Sequence, residues 1–300
     1  MSISIHYVSF GKRQVMKNVA LLTDSSACLP PESIKQYDIT VVPMRIIVGE
    51  QIYHDGVDIT PGEVYHLQRT SRVLPTTSAP SPGEFLEAYQ AASKKSNALL
   101  NITISKKFSM VCESAIRAKE MAKATLPETE IEVFDARTAA GAHGLLVLAA
   151  ARVIASGGSL HDTIREIERL LPKISLVAAV DTLYFLAKGG RIPRAQAWVG
   201  SLLSIKPILQ VIDGEAFPLE RIRTKPKATK RLIEIMQERS GRSTMHVNIM
   251  HAGVSQEAEE IRQQVAAQFD CAELHVTEFT PVMGAHTGPG LVGLAFYSDG

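Results

Sequence analysis

A single imidazole, His286, stands in the run Gly284-Ala285-His286-Thr287-Gly288-Pro289-Gly290, directly before the apolar stretch Leu291 to Tyr297. Three glycines and a proline around it predict a tight turn that brings the backbone close to something small and polar. Two hydroxyl-rich segments lie far upstream, Thr23-Asp24-Ser25-Ser26 and Pro75-Thr76-Thr77-Ser78-Ala79-Pro80-Ser81-Pro82. A third, Ser105-Lys106-Lys107-Phe108-Ser109-Met110-Val111, leads into a helical pattern at Glu113. Hydroxyls, free amides at a helix start and an imidazole are the donors that hold an anionic head group. Each also has a plainer use. Asp24 or Ser26 can satisfy the amides of the turn entering a helix near Pro31, Ser109 can cap the helix that follows it, and the three prolines can simply stiffen their loop.

The elements that must position these groups follow from the hydropathy pattern. Val19–Leu22, Ile39–Val42, Ala98–Ile104 and Ile131–Phe134 are predicted strands. Helices are predicted over Glu84–Ser96, Glu113–Ala124 and His143–Ser156, the last ended by Gly157-Gly158. Ser159 with Asp162 makes a capping pair for the next helix, in which Ile164, Ile167 and Leu171 recur at helical spacing. Strand and helix in alternation predict a parallel sheet covered by helices, with ligands bound beyond the carboxyl ends of its strands. Asp24 falls at such an end.

After Lys173 the pattern changes. Strands at Ser175–Asp181, Pro207–Ile212, Met245–Met250, Glu273–Glu278 and Leu291–Tyr297 mix with helices over Ala228–Arg239 and Ser255–Phe269. The division expected is an amino-terminal extension over 1–17, one α/β domain over 18–172 and a second over 173–300. The extension starts as a short alternating stretch and breaks at Gly11. Met16 then opens a fresh segment and could serve as an alternative initiator, with the residues before it dispensable.

Composition narrows the class. The chain has 300 residues, 45% of them hydrophobic, enough for about two domains with sizeable cores. A net charge of +1 gives no global basic face for nucleic acid. Cys28, Cys112 and Cys271 fit neither a disulfide framework nor a structural zinc site, and the nine histidines show no metal-ligand spacing. His246 and His251, at the ends of one predicted strand, are expected on opposite faces. The longest apolar run, Leu145–Ala151, is far below the ~20 residues that span a bilayer. The expected setting is the cytoplasm, with no integral membrane segment, no nucleic acid, no metal and no cofactor.

Five segments in order, Thr23-Asp24-Ser25-Ser26, Thr77-Ser78-Ala79-Pro80-Ser81, Lys188-Gly189-Gly190-Arg191-Ile192, Ile205-Lys206-Pro207-Ile208-Leu209 and His286-Thr287-Gly288-Pro289-Gly290, resemble the DegV family from about Lys17 onward. The resemblance implies a bacterial two-domain α/β protein, with a Rossmann-like amino-terminal domain and a long-chain fatty acid held between the domains. It further implies a non-catalytic protein, in some members the acyl-presenting subunit of a fatty acid kinase. The implied carboxylate contacts fall on Thr77, Ser109 and His286, with Ser78 beside them and Asp24, Ser25 and Gly288 in support. Where the family has Leu-Ser-Gly-Thr this chain has Phe108-Ser109-Met110-Val111, and Ala136 and Ala140 replace common serines. A sixteen-carbon tail would contribute roughly 10 kcal/mol before ordering costs, at ~0.8 kcal/mol per buried CH₂.

Two further readings remain. Arg221, Arg223, Lys225, Lys227, Lys230 and Arg231 form a local basic concentration, either a solvated face or a docking surface for a kinase partner. Arg191 is expected to tie its turn to a helix end. The competing function is a serine hydrolase acting on an acyl ester, with Ser109 or Ser25 as nucleophile, His286 as base and Asp24 as orienter. Against it, the chain lacks a Gly-x-Ser-x-Gly elbow.

Overall fold

The computed structural model describes residues 18–71, 73–198, 205–241 and 243–299. The amino-terminal extension and the Met16 reading lie outside these residues. The first strand, β1 (Ala20–Asp24), runs into a 3-10 turn at Ser25–Ala27 and helix α1 (Pro31–Tyr37), which returns the chain to β2 (Thr40–Val42). An antiparallel hairpin of β3 (Arg45–Val48) and β4 (Gln51–His54) follows, then α2 (Pro61–Thr70) and β5 (Thr76–Ser78). The chain continues through α3 (Pro82–Ser93), β6 (Ala98–Thr103), α4 (Val111–Ala122) and β7 (Glu130–Asp135).

Strands β2-β1-β6-β7, in that order, form a fully parallel sheet, while β4-β3-β5 form a small antiparallel sheet of their own. The parallel sheet reverses its direction of growth between β1 and β6. The crevice beyond the carboxyl ends of those two strands is therefore the topological switch point. Asp24 ends β1 there, and Ser105 and Ser109 follow β6.

Helices α5 (Ala140–Ala155) and α6 (Leu160–Leu170) then lead to β8 (Ser175–Ala179). Every residue of α5 from Ala140 to Ala151 is buried, as a helix apolar on all sides must be. It is wedged between the two large sheets: a Cβ on Gly144 would come within 2.5 Å of the Ala27 carbonyl on one side, and one on Gly141 within 2.6 Å of the Met250 sulfur on the other. The capping box at Ser159 and Asp162 starts α6 as predicted.

The remaining elements are α7 (Tyr184–Lys188), β9 (Lys206–Ile212), β10 (Glu215–Ile222), α8 (Lys225–Ser240), β11 (Met245–His251), α9 (Ser255–Gln268), β12 (Cys271–Glu278), α10 (Pro281–Thr287) and β13 (Val292–Ser298). Six strands in the order β10-β9-β8-β13-β11-β12 make a mixed sheet, with only the β11–β12 pair parallel. Helices α8 and α9 cover its outer face over a separate apolar cluster that includes Leu232, Met236, Ile261 and Val265. The fold is thus two α/β halves, one built on each large sheet.

Three expectations are corrected. His286 lies in the last turn of the short helix α10, not in a loop; Thr280 and Pro281 start that helix, and Gly288 at φ +69° ends it. Thr77 belongs to strand β5, and Ser81 caps α3 through a capping box with Glu84. Ser109 does not cap α4. That helix begins after Met110 with no side-chain cap.

Candidate functional site

Loops from the first sheet, the β5 strand, the start of α5, the inner face of the second sheet and helix α10 together enclose a cavity of about 850 Å³ including its mouth. Its body is apolar, built from Ile104, Leu176, Ala178, Val180, Leu209 and Val282 among others. Thr77, Ser109, Arg191 and His286 supply polar groups to its wall. The cavity therefore has a composition suited to an amphiphile, a long apolar body with a compact polar head.

Residues that are distant in sequence meet here. Thr77 Oγ1 lies 2.7 Å from His286 Nε2 across 209 positions of chain. Burial, and then the nearby Arg191 cation, push the His286 imidazole down to about 4, so it is neutral at pH 7. A neutral ring whose Nε2–H donates to Thr77 Oγ1 leaves the Thr77 hydroxyl proton free to donate to an incoming anion. Ser109 presents a second hydroxyl from the β6–α4 loop.

Arg191 is the polar residue that the sequence reading undervalued. Its Nε donates to the Phe108 carbonyl at 3.2 Å and its Nη1 to the Gly189 carbonyl, so it does tie the turn to the end of α7. It also spans the two halves of the fold and lines the cavity. Burial lowers its pKa from the ordinary arginine value, and no carboxylate among the described residues pairs with it. A half-buried guanidinium held only by carbonyls has charge left to satisfy.

Ser78 follows Thr77 on β5, so the alternation of the strand turns it to the opposite face, away from the cavity wall. Asp24 is fully buried and structural: its carboxylate accepts from the Ser26 amide at 3.0 Å, from the Ser26 hydroxyl, and from the Ile104 amide at 2.8 Å. It pins β1 to the end of β6 at the switch point. Ser25 Oγ accepts from the Met44 amide at 3.0 Å, and Ser26, not Ser25, reaches the cavity. Gly288 stands close against Phe185, where a Cβ would fall 2.2 Å from the ring.

These positions do not assemble the triad considered above. His286 Nε2 is engaged by Thr77, Asp24 is consumed by Ser26 and Ile104, and Ser25 is bonded to Met44. Met110 lies on the surface and Val111 in the core, neither on the cavity wall, whereas Ala140 does line it. The basic concentration is partly neutralised: Arg231 pairs with Glu220, Glu234 and Glu238, Lys230 with Glu234 and Lys225 with Glu257. Arg221 lies 4.4 Å above the Trp198 ring, and Arg223 and Lys227 are exposed. Among the described residues no helix is long and apolar enough to cross a membrane, and no cluster of His, Cys, Asp and Glu could hold a metal ion.

Comparison with known proteins adds a second line of evidence. A family model described as "Uncharacterised protein, DegV family" matches residues 18–299. A DegV domain-containing protein of Streptomyces coelicolor is 34% identical over 284 residues, 94% of this chain and 99% of that one. Among solved structures, a fatty-acid-binding DegV family protein of Thermus thermophilus superposes with a TM-score of 0.88 at 32% identity, covering 94% of this chain and all of the other. DegV of Bacillus subtilis, a fatty acid binding protein, gives 0.85 at 31% identity over the same shares.

Proposed function

This chain belongs to the DegV family, and we propose that it binds one long-chain fatty acid in the cavity between its two halves, with the domain boundary drawn near residue 172. The tail occupies the apolar body of the cavity, and the carboxylate meets Thr77, Ser109 and Arg191, with His286 orienting the Thr77 hydroxyl toward it. The observation that carries this reading is the state of the polar end. A half-buried guanidinium with no carboxylate partner among the described residues adjoins a neutral imidazole paired to a hydroxyl, all on the wall of a largely apolar cavity. A fatty acid supplies both missing parts, an anion for the cation and methylenes for the walls.

The protein does no chemistry alone on this reading. It acts in the cytoplasm and presents the acid to a fatty acid kinase, which phosphorylates the bound carboxylate. Hydroxyls and one arginine leave a carboxylate oxygen less encumbered than a full bidentate clamp. Arg221 and Arg223, with the exposed Lys227 beside them, are the basic residues offered to an acidic partner surface, since Arg231, Lys230 and Lys225 are already paired. Charge reversal at Arg223 should weaken kinase docking and leave lipid binding intact; unchanged docking removes this surface from the proposal.

Mass spectrometry of organic extracts from purified protein tests the central claim. A near-stoichiometric fatty acid, depleted in the His286→Ala, Ser109→Ala double variant, is the expected result. A clean extract together with no uptake of added fatty acid overturns it. A fluorophosphonate probe that labels one serine stoichiometrically, and loses that labelling on His286→Ala, would favour the hydrolase instead.

A further inference from the structure

Helix α10 carries His286 but has little of its own to hold it. It is seven residues long, Thr280 gives it no side-chain cap, and Pro281 provides no amide. Both of its ends are instead met by one segment of the amino-terminal half. Asp55, buried between β4 and α2, accepts the Val282 amide in the first turn at 2.8 Å. Gln68, on α2 and also buried, donates from Nε2 to the Gly284 and Ala285 carbonyls in the last turn, both at 3.0 Å. The Val282 amide and the Ala285 carbonyl are among the groups that a helix leaves unpaired at its ends, and the Gly284 carbonyl also accepts the Gly288 amide at 2.9 Å. Between the two anchors the helix lies directly on α2: a Cβ on Gly284 would fall 2.7 Å from Cε1 of Tyr65.

We propose that Asp55 is a positioning residue for the head group: with Gln68 it fixes α10 from both ends, and through α10 it sets where the His286 imidazole stands against Thr77. Asp55 itself is absent from the cavity wall. His286 sits one residue beyond Ala285, whose carbonyl Gln68 holds, so a slip of the helix along its axis moves the imidazole directly. A hydrogen bond of 2.7 Å between a ring nitrogen and a hydroxyl does not survive a shift of an ångström. The ligand consequence rests on the fatty-acid reading above; the positioning itself does not.

The test uses the full-length protein, stripped of lipid, as wild type, Asp55→Asn and Gln68→Met. The first readout is the His286 ring nitrogen resonances without ligand. They are expected to move in both variants, with thermal melts showing that the fold persists. The second readout is affinity for palmitate and for methyl palmitate. Palmitate affinity should fall about 3- to 10-fold, the scale of one weakened hydrogen bond to a charged acceptor. Methyl palmitate should be unaffected, and no further loss should appear in a His286→Ala background. Unmoved His286 resonances, or equal losses for acid and ester, overturn the proposal and leave Asp55 a purely structural residue. If Asp55→Asn does not fold, Gln68→Met carries both readouts. Shifted resonances in a protein that takes up no palmitate would uphold the positioning role and refute the fatty-acid reading.

Discussion

Gly189→Ala should weaken carboxylate binding without disturbing the fold. Gly189 has φ −74° and ψ −12°, a conformation alanine adopts freely. A Cβ there would lie 2.6 Å from His286 Nδ1, about 0.9 Å inside the ~3.5 Å at which such atoms pack. Nε2 of the same ring is bonded to Thr77 at 2.7 Å, and the two nitrogens lie on different edges of the imidazole. The ring cannot back away into Thr77, so it must swing and break that bond. Leaving a buried polar pair unmade costs about 1–2 kcal/mol, which is about 5- to 30-fold in affinity. The tail term of roughly 10 kcal/mol is untouched, so binding persists. Stability should change little, because alanine at a compatible glycine site restricts the unfolded chain and offsets part of the strain. Calorimetric titration of lipid-stripped protein with palmitate at pH 7.5, beside a thermal melt, measures both quantities. An affinity within twofold of wild type would refute the reasoning, because it would mean that the His286–Thr77 contact contributes nothing to holding the head group.

Thr77→Val keeps the shape of the side chain and removes its hydroxyl; acid affinity should fall about tenfold, while that for the corresponding fatty alcohol falls less, as competition titrations would show. Arg191→Met removes the cation at the cavity wall and should weaken fatty acid binding about tenfold or more at low salt, the gap to wild type narrowing as salt is raised. Burial, with Asp24 nearby, raises the Asp55 carboxyl from 3.8 to about 6. The folded protein thus holds this proton more tightly than the unfolded chain, and stability is lost as pH rises from about 4 to about 6, by about 3 kcal/mol. Asp55→Asn should remove that loss, as urea unfolding at pH 4 and pH 7 would reveal. Glu273 has the opposite sign. His246, His275 and Arg152 hold its carboxyl well below the ordinary value, so its contribution is present above about pH 4.5 and declines as pH falls; Glu273→Gln should flatten the acid limb of the same curve.

The parallel sheet was legible because its strands are short apolar runs separated by helical periodicity, and β1, β2, β6 and β7 lie where that pattern places them. The elements missed had signals of another kind. Gly49 and Glu50 form the two-residue turn between β3 and β4, and Asp213-Gly214, with φ of +47° and +78°, the turn between β9 and β10; such pairs are the strongest short-range marks of a hairpin. Pro218 masked β10, an edge strand that accommodates it at a register shift. Thr60-Pro61-Gly62-Glu63 is a complete capping box for α2. Helix α10 was hidden by Gly284 within it and by Gly288 and Gly290 just beyond its end. Gly284 is there for the close approach of Tyr65, a contact across the fold that overrides local propensity.

The site divides along the same line. Thr77 and His286 could be named from sequence, and the structure brings them to 2.7 Å. Choosing Thr77 over Ser78 needs the strand, since only alternation decides which of two neighbouring hydroxyls faces the cavity. Arg191 needs more still. No carboxylate among the described residues pairs with it, and whether an arginine finds a carboxylate is settled by every element that packs near it. Lys206, in the next motif, pairs with Asp181 at 3.0 Å, while Arg191 is left with the carbonyls of Phe108 and Gly189. One cation is thereby a satisfied ion pair, while the other, on the fatty-acid reading proposed above, is left to receive the ligand's carboxylate. The Phe108 carbonyl belongs to the first half of the fold and Arg191 to the second, so their hydrogen bond ties the two halves together at the cavity wall. A ligand carboxylate that bridges Arg191 and Ser109 would strengthen the junction of the two halves as it binds, so lipid loading should raise thermal stability by more than tail burial alone, and a fatty alcohol of equal length should raise it less.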